Sequence, residues 1–412
     1  MIEDILVSGG RSMLATHIKH DSALIILSGI IGYLGLSGTP RLATLILAIP
    51  IFWSMANSRM AAFGVMFAYF LTVSRGLLHG AAVFLSEHHT FIQATALYFL
   101  MSLGVSLPFL LFWNENCRKK ALCLPVAFLV AFVLPPISLI GIVNPILTAG
   151  TIFKGFGCLG IGITILLWVL CAVSRKITYA FLCVIVAFTV LPSDGWFISP
   201  QPEGSIAINT SIGRIGSGSY DFADDYERIK HVFADLRKLD FKNSDAKFIV
   251  LPETIAGRVN PSGLDLWRKE LSKLVNDDTT VIFGGEIPTG DGRKYDNVAI
   301  MLHNGDVTIA PQRIPVPYSM YRGPFAKTGA NLHFFGDGIL ELPDGRKAAI
   351  VICYEAYLTW PYLLSMRHKP DMIISMANLW WCRNTSLPIT QRNTVNLWGL
   401  LFGVPTIFAT NL

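Results

Sequence analysis

Ala348-Ala349-Ile350-Val351-Ile352-Cys353-Tyr354-Glu355 is the stretch on which the reading of this chain turns. Small and apolar residues run straight into a cysteine, and a carboxylate follows two positions later. Pro343-Asp344-Gly345 supplies a turn ahead of the run, so the pattern predicts a short buried strand. Open α/β folds carry their chemistry just beyond the carboxyl ends of strands, which is where Cys353 falls. A second apolar run, Phe248-Ile249-Val250-Leu251, ends in Pro252-Glu253-Thr254. Two strand ends therefore deliver a thiol and a carboxylate.

Outward from these two strands, helical and strand periods alternate. Ser205–Asn209, Thr280–Gly284, Asn297–Met301, Asp371–Ser375 and Pro405–Ala409 read as further strands. Between Tyr220 and Leu239, Phe222, Tyr226, Ile229, Phe233 and Leu236 recur at helical spacing. Leu264, Trp267, Leu271 and Leu274 mark another helix, and residues 388–402 a third. This alternation predicts an α/β domain over 205–412, with its helices covering sheet faces. The turn-rich segment 194–204 reads as a junction.

Residues 1–193 have a different character. Soluble domains carry about 25% charged residues, whereas this chain carries 15%, with 52% apolar, and the deficit lies in its first half. Apolar segments fall at 22–39, 41–57, 61–85, 91–113, 121–143, 155–173 and 177–193. Most approach the ~20 residues that span a bilayer. The prediction is a membrane domain of about seven helices. The segment 61–85, with Arg75 and His79, reads as a shorter span plus an interfacial piece. Residues 1–21 are too polar for a signal-peptide core. Arg59, Arg118-Lys119-Lys120 and Arg175-Lys176 occupy alternate loops, which places those loops and the amino terminus in the cytoplasm and 194–412 across the membrane. Arg75, His79 and Lys154 read either as snorkelling residues or as a polar lining. The glycines of Gly155–Gly162 read as a helix-packing surface.

Composition narrows the function classes. A net charge of +5 with no basic block gives no sign of direct nucleic-acid binding. The seven cysteines are odd in number, and no CxxC or HExxH pattern occurs. Neither a disulfide framework nor a metal site is expected, and nothing calls for a cofactor.

A lone strand-end cysteine is most often a core thiol. Paired with a carboxylate it suits covalent acyl chemistry. The thiol attacks a carbonyl or nitrile carbon while the carboxylate takes its proton and later returns it to the leaving group. A third group must stabilise the oxyanion, and the strand pattern does not identify it.

Leu251-Pro252-Glu253-Thr254 and Ile352-Cys353-Tyr354-Glu355 resemble the glutamate and cysteine motifs of the carbon–nitrogen hydrolase (nitrilase) superfamily. Ser375-Met376-Ala377-Asn378-Leu379-Trp380-Trp381 is similar to that family's strand-then-Asn-then-Trp segment. The apolar first half makes the chain similar to the membrane branch typified by apolipoprotein N-acyltransferase. The resemblance implies an α-β-β-α sandwich, Glu253 as general base and Cys353 as the nucleophile that carries the acyl group as a thioester. It also implies Glu355 as a supporting carboxylate and a membrane lipid or lipoprotein as substrate.

Two departures stand out. Aligning Val316-Pro317 on the family's Val-Pro-Phe-Gly-Glu segment puts Gln312 where a lysine belongs and Met320 where a loop glutamate belongs. Gln312 could donate without a charge. Arg313 is adjacent but on a strand would face the other way, and Lys327 could reach in only from a loop. The second departure is the ending Ala409-Thr410-Asn411-Leu412, short of the further strands and last span of the acyltransferases. This combination resembles conjugal transfer proteins of rhizobial and tumour-inducing plasmids, which implies the conjugation machinery as partner. Three readings stay open: a membrane acyltransferase or amidase, a catalytically impaired envelope component of conjugation, and a transporter with an attached domain.

Overall fold

The computed structural model describes residues 2–84, 91–190, 193–215, 222–242 and 244–412. Tyr220 and the side chains of Phe222 and Tyr226, read above as part of a helix face, lie outside the described residues. The chain forms two compact units, Met1–Ile198 with Thr385–Gly403 and Ser199–Asn384 with Val404–Leu412.

The first unit is helical. It contains α1 (Ile2–Gly35), α2 (Ile49–Met55), α3 (Arg59–Val73), α4 (Gly76–Phe84), α5 (Phe91–Leu111), α6 (Cys117–Phe132), α7 (Gly157–Val173) and α8 (Arg175–Val190). Each apolar segment of the sequence falls on one or more of these helices. By length and composition, α5 alone among the described residues is long and apolar enough to cross a membrane. The pair α3 and α4 passes the same test together but bends by 55°. The bend sits at Ser74, whose hydroxyl turns back onto the Phe70 carbonyl, and beside it Arg75 lies 3.9 Å over the Tyr33 ring. Trp53 and Trp168 are buried and donate their indole N–H to the Phe109 and Leu47 carbonyls, each at 2.9 Å. Buried Ser28, Ser102, Ser106 and Thr164 likewise bond backbone carbonyls, which satisfies these hydroxyls inside apolar packing. Within the glycine-rich segment, Gly160 is the close approach: a Cβ there would lie 3.0 Å from Leu401 and 3.1 Å from Phe153.

The second unit is α/β. Its helices are α9 (Phe222–Leu236), α10 (Pro261–Leu271) and α11 (Thr359–Met366). Its strands are β1 (Ser205–Ala207), β2 (Phe248–Val250), β3 (Thr280–Thr289), β4 (Lys294–His303), β5 (Asp306–Pro311), β6 (Gly329–Ala330), β7 (Ile339–Glu341), β8 (Lys347–Ile352), β9 (Met372–Asn378) and β10 (Thr406–Asn411). One sheet runs β1-β2-β3-β4-β5 with β6 on β4, and the other runs β10-β9-β8-β7. The pairs β1–β2, β2–β3, β8–β9 and β9–β10 are parallel, which sets the carboxyl ends of β2, β8 and β9 in common directions. α9 and α10 cover the first sheet through Phe233, Trp267 and Phe283, with ring centroids 4.9 and 4.7 Å apart. Every residue of β9 is buried, as expected of a parallel strand covered on both faces.

One assignment is corrected. The helix read over 388–402 is α12 (Leu387–Phe402), and it belongs to the helical unit rather than to the α/β half. Most of its residues are buried, with Ile389 and Arg392 exposed near its start, so it is largely a core helix. Asn393 donates to the Leu36 carbonyl and Asn396 to the Phe197 carbonyl, both at 2.7 Å. Gly150 lets the backbone approach, since a Cβ there would lie 2.6 Å from the Leu397 carbonyl oxygen. The unit boundary accordingly falls at Ile198, inside the segment read as a junction, and the α/β unit regains the chain at Val404 for its last strand.

Candidate active site

Glu253 lies three residues past the end of β2, and Thr254 behind it takes a φ of +52°. The neighbouring β3 accommodates this bend at Gly284, where a Cβ would stand 2.4 Å from the Thr254 nitrogen and 2.5 Å from the Glu253 Cα. Cys353 follows β8 directly and opens a 3₁₀ turn, Cys353–Tyr357, with its own φ at +50°. A non-glycine residue held in that region costs on the order of 1–3 kcal/mol, and such residues gather where a turn presents a reactive group. The two turns bring Cys353 and Glu253 into a side-chain hydrogen bond, with both residues buried.

Around the pair lies a polar network that sequence reasoning largely missed. Asn297 on β4 donates to Glu253 Oε1 at 2.6 Å and to Gln312 Oε1 at 2.9 Å. The Asn378 backbone N–H, at the end of β9, donates to Glu253 Oε2 at 2.8 Å. Asn378 Nδ2 donates to Thr254 Oγ1 at 2.8 Å, and Asn411 on β10 donates to Asn378 Oδ1 at 2.8 Å. A sign was present for Asn297: it opens Asn297-Val298-Ala299-Ile300-Met301-Leu302, a run buried throughout, where a polar residue needs a polar partner.

Burial pushes the Glu253 carboxyl up to about 7; bonds from Cys353, Asn297 and the Asn378 backbone oppose the rise, and the Glu286 charge adds to it. Burial also pushes the Cys353 thiol well above its ordinary range, and the charge and hydrogen bond of Glu253 push it the same way. The resting pair therefore holds no preformed thiolate, and Glu253 gains or loses its proton near neutral pH.

Gln312 is buried beside this pair. Its Nε2 donates to the Ile352 carbonyl at 2.9 Å, on the residue immediately before Cys353. Arg313 and Glu355 meet each other instead of the thiol. Arg313 Nη2 lies 3.2 Å from Glu355 Oε2, and both side chains are 1% exposed. Glu355 also accepts from the backbone N–H groups of Arg313, Ile314 and Ile352. The guanidinium further donates to the Ile350 and Pro361 carbonyls at 2.7 and 2.8 Å and to Ser365 Oγ at 2.6 Å. Lys327 is exposed. Arg214 stands over the Trp380 ring at 5.5 Å, and Cys382 is buried close enough to act on the Cys353 thiol. Among the described residues, no three His, Cys, Asp or Glu side chains are grouped to hold a metal ion.

A two-unit chain with a buried thiol–carboxylate pair at adjoining strand ends is the type of molecule these observations define. The chain belongs to the TraB family of conjugal transfer proteins. It is 31% identical to the conjugal transfer protein TraB of Agrobacterium fabrum (strain C58) over 411 residues, which is 94% of this chain and 92% of that protein. It is 30% identical to the probable conjugal transfer protein TraB of Sinorhizobium fredii (strain NGR234) over 404 residues, covering 94% and 97% respectively. Among solved structures, an amidase from Nesterenkonia sp. AN1 aligns with 51% of this chain and 78% of its own at 15% identity and a TM-score of 0.35. A mutant of that amidase, described as from the nitrilase superfamily, aligns over 51% and 78% at 14% identity and a TM-score of 0.34. The glutamine-dependent NAD+ synthetase of Acinetobacter baumannii aligns over 42% and 31% at 16% identity and a TM-score of 0.29. The chain matches no protein-family model.

Proposed function

We propose that this protein is a membrane-anchored acyl-transfer or amide-hydrolysing component of conjugal plasmid transfer, with a nitrilase-type site built on Cys353 and Glu253. The observation that carries the reading is the buried hydrogen bond between the thiol and the carboxylate at two strand ends. In the proposed reaction the Cys353 sulfur attacks a carbonyl carbon as its proton passes to Glu253. The tetrahedral intermediate collapses when Glu253 returns that proton to the leaving nitrogen or oxygen, leaving a thioester. An amine or water then attacks the thioester, giving up its proton to Glu253, and the thiol is restored. Asn297 and the Asn378 N–H hold the carboxylate in line throughout.

The helical unit supplies the anchor in this reading. Ile92, Leu100 and Leu111 on α5, Leu159 and Leu166 on α7, and Val186 and Val190 on α8 are exposed, forming an apolar exterior suited to lipid. The alternating basic loops favour the inner membrane with the α/β unit on the periplasmic side, where a lipid or lipoprotein substrate and the conjugation machinery are both in reach.

One observation favours a second reading, in which the site is impaired and the protein serves conjugation structurally. Gln312 stands where the resemblance calls for a lysine, and its amide is tied to Asn297 and the Ile352 carbonyl. The experiment that separates the two is plasmid transfer frequency in cells carrying Cys353→Ser or Glu253→Gln, with membrane levels of the protein measured alongside. The enzymatic reading expects transfer to fall by about 10²-fold or more at normal protein levels. Unchanged transfer, together with loss on deletion, establishes the structural reading.

A further inference from the structure

We propose that the helical unit binds a phosphate-bearing organic anion in a polar cavity at one end of its bundle. This inference is independent of the Cys353 chemistry. The cavity has a volume of about 680 Å³ and is lined wholly by residues of the helical unit. That is the range of small-molecule sites and is far larger than a bare phosphate ion needs, so the space suits a phosphate with an organic group attached.

Its wall is cationic. His17 and His20 on α1, Lys120 on α6 and Arg175 on α8 line it, and the carboxylate among the lining residues is Glu115. Lys120 is a built feature: it is 7% exposed, and its Nζ is held by the Ser54 carbonyl at 2.8 Å and lies 4.6 Å over the Trp113 ring. A buried ammonium on a cavity wall, bonded to neutral carbonyls, favours an anion in the space before it. Asp21, next to His20, is already engaged by the Asn57 backbone N–H at 3.0 Å and by Asn57 Nδ2 at 2.9 Å. The same Asn57 amide lies 3.1 Å from His20 Nδ1. His20 Nδ1 also lies 3.3 Å from Asp21 Oδ1, so either ring nitrogen can carry the proton. Two sixteen-residue helices, α6 and α8, begin beside the cavity; Asn116 Oδ1 already takes the Arg118 and Lys119 N–H groups at the start of α6. Lysine, arginine and histidine donors converging with helix amino termini form the donor set that recognises phosphate oxygens.

The phosphate can come from a lipid headgroup or from a soluble phosphate ester, and the test separates them. The full chain, purified in detergent, is assayed by native mass spectrometry for retained phosphatidylglycerol and by calorimetry for binding of glycerol 3-phosphate. The comparison protein is the double variant His17→Gln with Arg175→Gln, both at exposed positions; Lys120→Gln is a second variant. Wild type is expected to hold one of the two probes at least about tenfold more tightly than the double variant, as loss of charge-assisted hydrogen bonds requires. Retained lipid without glycerol 3-phosphate binding identifies the headgroup as the ligand. Glycerol 3-phosphate binding without lipid retention identifies a soluble ester. Equal binding of both probes to wild type and the folded double variant overturns the proposal.

Discussion

Glu253 and Glu355 are two glutamates of one α/β unit, 3% and 1% exposed, and their surroundings are opposite. Glu355 meets the Arg313 guanidinium and three backbone N–H groups, so every oxygen is held and a fixed positive charge offsets its own. Glu253 meets neutral donors and a thiol, with no cation among the groups that shift it. Burial without a cation makes protonation of Glu253 easy near neutral pH, whereas Glu355 is fixed by a permanent counter-charge. The difference separates a carboxylate bonded to neutral donors and a thiol from one that braces the turn carrying Cys353. A charge near a nucleophile is therefore not by itself a catalytic partner; what matters is whether its lone pairs are already committed.

Breaking the brace has the largest expected effect. Arg313→Met leaves Glu355 buried without its cation and should cost about 3–5 kcal/mol of stability. Glu253→Gln, which removes a charge with no buried counter-charge, should cost clearly less. Chemical denaturation of the two variants checks this. Equal losses would mean that Glu355 and Glu253 are braced alike.

Sequence reading reached the strands that carry Glu253 and Cys353 because both end buried, β-branched runs whose period is unambiguous. Arg313 does turn from the thiol toward Glu355, but from a bend beyond the end of β5 at Pro311, not from the strand that alternation assumed. What it could not reach was contact between distant strands. Asn297, Asn378 and Asn411 act together only because β4, β9 and β10 converge, and no local period encodes that. It also placed α12 with the sheet, because a run of residues at helical spacing does not say which surface the helix meets; the amides of Asn393 and Asn396 decide that through bonds to Leu36 and Phe197. The short β5, β6 and β7 and the helix α11 escaped because runs of two to eight residues carry little periodic signal.

A cation can be moved to the side that lacks one. Gln312→Lys places an ammonium between Asn297 and the Ile352 carbonyl, next to the thiol–carboxylate pair. If oxyanion stabilisation is what the site lacks, turnover of a simple amide or acyl ester should rise by about 10²–10³-fold. The variant should also lower the Glu253 pKa, making it more like a braced carboxylate. A well-folded variant with no gain in turnover would show that the missing charge is not the limiting feature.

The smallest effect at any one pH is the proton linkage of Glu253. Its folded pKa is raised to about 7, against ~4.3 in an unfolded chain. The folded state therefore holds the proton more tightly. The stability this provides is fully present below the unfolded value and is lost as pH rises through the folded one. The total is on the order of 4 kcal/mol, spread over the window from about pH 4 to about pH 7. Unfolding free energies of wild type should fall across that window relative to those of Glu253→Gln, whose side chain does not titrate. Activity should move the opposite way, rising as Glu253 loses its proton near pH 7, because only the carboxylate can accept the thiol proton. Stability and turnover drawn in opposite directions by one buried group would mark Glu253 as the group that exchanges the thiol proton. Parallel pH curves for wild type and Glu253→Gln would remove that distinction.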